Sequence, residues 1–481
     1  MPTGLELLNR ANSLLMSENE REVIEAENIF SFLLDDAPEE PAILFGLATI
    51  AMRAHRDGLA HALLTRTLDI RPETFEAWNN LGFVHDRRNR KDLAKECFLK
   101  AIELEPNRPE FWNNLATLEV NNGDPSKAIE LCQKSLELDP NSLDPKWNLG
   151  LAHLEMENWV EGWKGYEEGL DPKGKRKQKN YGNGLPWWDG TPGQTVIVFG
   201  EQGVGDEIMF SSILPDMMKD AHILYDAHPR LVHLMRAAFG DKIAIFGTRK
   251  ENVVPWLHFH KPDARLPIAS LGKFYRKKNE DFPRTPYLKP IHRYVMECES
   301  MFSKLGHGAR IGISWKGGTL ETRKDLREIP LTHWRPIFDA MPDAHFISLQ
   351  YDGEDRAGMV QTQIKEAAEN GITIHHFPEL SGFGSDLDYT YGGAIHCVDL
   401  VISVCTSLVH ACGAMGVPCW VLTPSRPAWR YGLRGERMRW YGDHVELYRQ
   451  ARGESWDVSI NRIATRLRSF AQERLDERTA A

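Results

Sequence analysis

Four prolines, Pro38, Pro72, Pro106 and Pro140, recur at intervals of 34 residues. A repeat of that length prescribes stacked two-helix units, each of which buries its apolar face against the next, rather than one globular core. Ala26, Ala60, Ala94 and Ala128 keep the same register, as do two further series: Phe30, Leu64, Phe98 and Cys132, and Leu47, Leu81, Leu115 and Leu149. A small residue lets two antiparallel helices approach closely, and a proline ends the second of them. The clearest unit runs from Trp78-Asn79-Asn80-Leu81-Gly82 through Ala94, Phe98 and Ala101 to Pro106.

This pattern resembles the tetratricopeptide repeat, an α-solenoid whose groove holds another polypeptide. Four units and a degenerate fifth fill residues 5–170, so a repeat domain is expected over 1–170. Trp78, Phe98, Trp112 and Tyr166 read as core. Asn79, Asn80, Asn113, Asn114 and Asn148 recur on first helices, where helix propensity does not favour asparagine. Two readings stand for them. Either Asn80, Asn114 and Asn148 line a peptide-binding groove, or the amides make caps and bonds between helices.

A chain of 481 residues exceeds what one core serves, so two or three domains are expected. Its net charge of −10 is uneven: residues 1–170 carry 17 Lys+Arg against 31 Asp+Glu, and the remainder 41 against 37. An acidic front argues against nucleic-acid binding, which needs clustered Lys and Arg. A mildly basic back half tolerates an anionic small molecule. Seven cysteines without a C-x-x-C pair suggest neither a disulfide framework nor a zinc site. Cys397, Cys405, Cys412 and Cys419 fit no metal spacing and read as core, so no metal is expected. The opening residues lack a basic n-region and no apolar run reaches membrane-spanning length, which predicts a cytoplasmic chain with no membrane span.

Residues 171–194 hold Lys173, Lys175, Arg176, Lys177 and Lys179 and then Gly182, Gly184, Pro186, Gly190, Pro192 and Gly193. This predicts a linker without regular structure, its basic run solvated or in contact with an anion. Thr195-Val196-Ile197-Val198-Phe199 is a buried-strand run, followed by the turn Gly200-Glu201-Gln202-Gly203-Val204-Gly205-Asp206 and a helical pattern to Met217. A second opening is Ala309–Ser314, and further strands are expected at His345–Leu349, Leu400–Val404 and Cys419–Leu422. Strands alternating with helices imply parallel sheets with ligands at their carboxyl edges. Two openings this far apart suggest two lobes, 195–305 and 306–445, with the site between them and an amphipathic helix over 446–481.

Several residues suit anion chemistry. The turn Cys405-Thr406-Ser407 lies between a buried strand and a helix rich in small residues, so its backbone N–H groups and the helix dipole suit a phosphate. The plain alternative is an N-cap by Thr406 or Ser407. Lys316, in a Lys-Gly-Gly turn, joins Arg323, Lys324 and Arg327 in a cationic cluster, of which Lys324 reads as solvated. Asp206 is placed either to act as a general base toward a hydroxyl or to cap a helix. Trp429, Arg430 and Tyr431 offer stacking and charge, or simply packing.

The stretches GEQGVGDEIMFSSILP, RIGISWKGG, HFISLQYDGED, LVISVCTSLVHACGAMGVPCWVLTP and AWRYGL resemble the heptosyltransferase-like glycosyltransferases of the GT-B fold, which has two Rossmann-like lobes. The joined chain resembles tetratricopeptide-repeat glycosyltransferases, including bacterial flagellin O-glycosyltransferases. The resemblance implies metal-independent transfer from a nucleotide sugar, possessing no cofactor, to Ser or Thr hydroxyls of a protein held by the repeats. Flagellin is the implied acceptor and a CMP-linked nonulosonic acid the implied donor. Asp206 falls on the family's base, Lys316 on its diphosphate lysine, and Thr406, Ser407 and His410 on its phosphate turn. Ser348, Leu349 and Gln350 fall beside the nucleotide, and Arg327 would join Lys316 on the leaving phosphate. Glu201 and Gln202, with Trp429, Arg430 and Tyr431, belong to loops facing sugar or acceptor. Many relatives carry Asp where Cys405 stands. An envelope-polysaccharide transferase and a non-catalytic repeat scaffold are the rival expectations.

Overall fold

A computed structural model describes residues 3–480 apart from 123, 177, 183, 202, 319–323, 353–357 and 381–386, with helix backbone alone at 324–325 and 471–480. The chain divides into two compact units, Met1–His153 and Leu154–Ala481.

The first unit is a run of helices: α1 (Gly4–Leu14), α2 (Glu20–Asp36), α3 (Pro41–Arg53), α4 (Asp57–Ile70), α5 (Phe75–Arg87), α6 (Lys91–Leu104), α7 (Pro109–Asn122) and α8 (Pro125–Leu138). Pro38, Pro72, Pro106 and Pro140 each sit two residues past the end of an even-numbered helix, where a missing N–H breaks no helical bond. The four register alanines are fully buried. A Cβ on Gly82 would lie 2.7 Å from the Phe98 ring, so the α5–α6 contact requires glycine there. Trp78 and Trp112 each donate an indole N–H to the register proline's carbonyl, Pro72 and Pro106, at 2.8 Å, and so lock successive hairpins alike.

The asparagine series is turned onto neighbouring repeats. Asn114 Nδ2 donates to Asn79 Oδ1 at 2.8 Å, and Asn148 Nδ2 donates to Asn113 Oδ1 at 2.9 Å and to Thr117 Oγ1 at 2.8 Å. The bonds between helices thus use an amide N–H of Asn114 and those of Asn148, while Asn80 accepts a long bond from Asn79 at 3.5 Å. A buried amide in a repeat interface needs a partner, and the adjacent repeat supplies it.

The second unit begins before the boundary that the 34-residue period suggests. After α9 (Leu143–Glu155), helix α10 (Trp159–Glu167) packs into the α/β body: Trp163 Nε1 donates to Arg276 O at 2.7 Å, and Trp159 Nε1 to Asn279 Oδ1 at 2.8 Å. The segment that follows is solvated only in part, with Lys173 and Lys175 exposed and Arg176 turned inward. Arg176 is 2% exposed and bonds Glu167 at 2.8 Å, Glu201 at 2.9 Å and Ser270 at 2.9 Å. Lys179 and Tyr181 both reach the buried Asp226, at 3.2 and 2.8 Å. Burial of the front lobe's carboxylates is what draws these basic residues inward.

Two all-parallel sheets follow. The first contains β1 (Thr195–Phe199), β2 (His222–Asp226), β3 (Ala244–Phe246) and β4 (Ala264–Pro267) in the order β3-β2-β1-β4. The second contains β5 (Arg310–Ser314), β6 (His345–Ser348), β7 (Leu400–Val404), β8 (Cys419–Thr423) and β9 (Val445–Arg449) in the order β6-β5-β7-β8-β9. Strand β9 runs past residue 445, and the C-terminal helix Trp456–Ala480 buries Ile460, Ile463, Ala464 and Leu467 in the core of this sheet, so the strand and helix after residue 445 belong to the second lobe. Each sheet reverses direction of strand addition once, beside β1 in the first and between β5 and β7 in the second. The turns leaving β1, β5 and β7 are therefore where a doubly wound sheet opens a crevice.

Candidate functional site

Helix α11 (Val204–Ser211) packs on the Ser407–Met415 helix, and both start just past a strand's carboxyl end. The approach is tight: a Cβ on Gly205 would lie 3.1 Å from Ser407 Cα and 3.0 Å from the His410 ring. Gly203, not Asp206, is the N-cap of α11. Asp206 stands in the first turn, where the helix dipole favours a carboxylate, and forms an ion pair with Arg430.

Thr406 caps the Ser407–Met415 helix, its hydroxyl accepting from Leu408 N at 3.3 Å. Ser407 Oγ shares a 2.5 Å bond with Tyr391 Oη. His410 is buried, with Nδ1 2.9 Å from Tyr441 Oη and Nε2 3.5 Å from Tyr431 Oη. Burial, reinforced by the nearby Arg430, holds its imidazole far below the ordinary range. It is a neutral hydrogen-bonding ring near pH 7 rather than a cation for phosphate. Cys405 is also buried, its thiol pushed up to about 11 by that burial. It is an uncharged packing group where a carboxylate would carry charge.

The turn after β5 lies against this one. A Cβ on Gly317 would meet the Cys405 carbonyl at 3.2 Å, and Arg327 Nη1 donates to that carbonyl at 3.2 Å. Lys316 Nζ pairs with Glu328 at 2.9 Å. Gln350 holds the turn in place. Its Oε1 accepts from Trp315 N at 3.0 Å, Lys316 N at 2.9 Å and Ser314 Oγ at 3.1 Å, while Nε2 donates to Lys316 O at 3.0 Å. Gln350 thus shapes the Lys316 turn through both ends of its amide. Ser348 is buried, and among the described residues its Oγ makes no hydrogen bond.

The loop carrying Arg430 is fixed at its backbone, since Arg449 donates to Tyr431 O at 2.6 Å and to Gly432 O at 3.0 Å. Trp429 packs among Trp163, Tyr166, Phe210 and Trp440, with centroids 5.8 to 6.5 Å away, and so serves as packing. Glu201 has one carboxylate oxygen on Arg176, and burial pushes its pKa up despite that partner. Gln202 and Arg323 lie outside the described residues. Asp206, Lys316, Arg327, Thr406, Ser407, His410, Arg430 and Tyr431 are thus carried on adjoining turns, loops and helix starts. Among the described residues no group of three or more His, Cys, Asp or Glu is placed to hold a metal, and no helix is long and apolar enough to cross a membrane.

Sequence reasoning passed over Glu207, the buried anchor of the front lobe. Its carboxylate accepts from Tyr225 Oη at 2.9 Å and His228 N at 2.6 Å and pairs with Arg249. Its neighbour Asp206 drew the attention, and the only sign of Glu207 was a charge on the face of α11 that points inward.

Residues 75–108 and 97–130 match the tetratricopeptide repeat family model. Over 325 residues the chain is 27% identical to Protein FlbA of Caulobacter vibrioides, an overlap of 65% of this chain and 52% of FlbA. The chain therefore spans about half the length of that curated relative. Among solved structures, the 41-end chain of MamA from Desulfovibrio magneticus is 18% identical with a TM-score of 0.30, covering 35% of this chain and 92% of that one. PilF of Pseudomonas aeruginosa is 20% identical with a TM-score of 0.32, covering 34% of this chain and 76% of PilF. The chain carries tetratricopeptide repeats ahead of a parallel α/β body.

Proposed function

We propose that the chain is a metal-independent glycosyltransferase of GT-B architecture, acting on a protein presented by its repeats. The reading is carried by the meeting of two helix N-termini across the lobes, Gly205 on Ser407. This brings Asp206 beside a turn suited to an anion. In that reading a nucleotide sugar lies over the Thr406–Ser407 turn and its leaving phosphate is met by Lys316 and Arg327. Asp206 takes the proton from an acceptor Ser or Thr hydroxyl as the oxygen attacks the anomeric carbon, and the bond to phosphate breaks. A positioned base contributes roughly 10²–10⁴ in rate, and oriented dipoles in a closed cleft often more. The repeats supply the acceptor polypeptide; flagellin and a CMP-linked nonulosonic acid are the acceptor and donor that the sequence resemblance favours.

Titration calorimetry of the full chain with CMP, UDP, GDP and ADP tests the donor half. Saturable binding of at least one nucleotide is expected. A second reading, a scaffold that no longer catalyses, is favoured by the pairing of Asp206 with Arg430 and of Lys316 with Glu328, which neutralises both charges within the protein. Absence of binding across the panel would select it.

A further inference from the structure

Arg430 is the charge that occupies the candidate base, and its surroundings indicate a second task. The loop that carries it is held by Arg449 at the Tyr431 and Gly432 carbonyls, while its side chain, 19% exposed, pairs with Asp206. The Nε–H is buried and, among the described residues, makes no hydrogen bond. Such a donor is costly to leave unpaired and marks a place for an acceptor. The start of the Ser407–Met415 helix offers backbone N–H groups to an anion. It adjoins Arg430 through His410, whose Nε2 is 3.5 Å from Tyr431 Oη, and adjoins Asp206 through Gly205.

Resting on the glycosyltransferase reading, we infer that Arg430 is a latch on Asp206: it holds the carboxylate in the empty protein and passes to the donor's phosphate when nucleotide binds. A guanidinium bonded to a carboxylate oxygen competes there with an acceptor hydroxyl, and its positive charge opposes uptake of a proton. Transfer of Arg430 to the anion frees Asp206 only on the donor-loaded protein. The arginine fork suits this exchange, because it matches carboxylate and phosphate equally. Donor therefore binds before acceptor, and the base is not exposed while the cleft is empty. Arg430 is a positioning residue toward Asp206 and a binding residue toward the anion.

Nucleotide affinity tests the latch in the full chain, with the tightest binder among CMP, UDP, GDP and ADP as the probe. In Asp206→Asn the competing carboxylate is gone, so affinity should rise about tenfold, the size of coupling expected for one close charge pair. Arg430→Met should weaken binding by about tenfold or more, and Arg430→Lys should recover part of it, with circular dichroism checking the fold of each. In Asp206→Asn/Arg430→Met the gain should vanish. A gain that persists without Arg430 would reflect simple repulsion between Asp206 and the anion, and an unchanged or weaker affinity in Asp206→Asn would mean no competition exists; either overturns the latch. If no nucleotide binds wild type or any variant, the donor reading fails and the latch with it.

Discussion

Gly205 faces Ser407 so closely that an added Cβ would stand 3.1 Å from the serine's Cα, at a point where helices of the two sheets of the α/β body touch. A larger residue there must push the helices apart. Gly205→Val is expected to cost about 1–3 kcal/mol of stability, the usual range for overpacking, and to lower transfer or nucleotide binding at least tenfold. Denaturant unfolding and titration of the same variant check both, and unchanged binding would detach the site from this contact.

Arg176 should be among the most sensitive positions in the chain. Its side chain is fully buried between Glu167 and Glu201, so Arg176→Met leaves Glu201 enclosed without its partner. Breaking such a pair costs about 3–5 kcal/mol. Urea unfolding should show that loss, and adding Glu201→Gln should recover part of it.

Acid should loosen the front lobe through His228. Its pKa falls from 6.5 to about 3, chiefly by burial and then by Arg249, Lys250 and Arg230. A depressed folded-state value means that the unfolded chain binds the proton first. Stability is therefore complete above about pH 6.5 and declines as pH falls toward 3, by about 1.4 kcal/mol per pH unit for this one group. His228→Asn keeps an acceptor for Arg230 N and should flatten that slope by one proton in unfolding curves between pH 4 and 7.

The position of the cut decides whether the α/β body survives alone. A fragment of residues 154–481 keeps Trp159, Trp163, Tyr166 and Glu167 and is expected to fold and bind nucleotide while failing to modify a protein. A fragment starting at 171 strips the Trp163 bond to Arg276 and the Glu167 partner of Arg176, and should be insoluble or melt at a much lower temperature. Thermal melts of the two fragments separate these outcomes.

The repeat was legible because a solenoid writes its contacts at one spacing, and Ala94, Phe98 and Pro106 announce a neighbour that looks the same. The runs Thr195–Phe199, Leu400–Val404 and Cys419–Leu422 were legible as strands because strands buried on both faces leave unbroken apolar sequence. β2, β3, β4 and β9 carry shorter or mixed runs that the eye passes over. The end of the repeat array was misplaced because α10 still follows the 34-residue pattern while its tryptophans pack on Arg276 and Asn279, over a hundred residues away. Arg176 and Lys179 read as part of a solvated linker for a similar reason: their partners, Glu201 and Asp226, are distant in sequence. Asp206 and Lys316 were noticed as site residues from local turns, but their pairing with Arg430 and Glu328 is tertiary and left no local sign.

The most direct measurement is mass spectrometry of the proteins that co-purify with the full chain and with Asp206→Asn from otherwise identical cells. The account predicts a partner that carries a sugar on Ser or Thr with wild type and lacks it with Asp206→Asn, while remaining bound to both. A partner that is unmodified in both samples, or equally glycosylated in both, would contradict it.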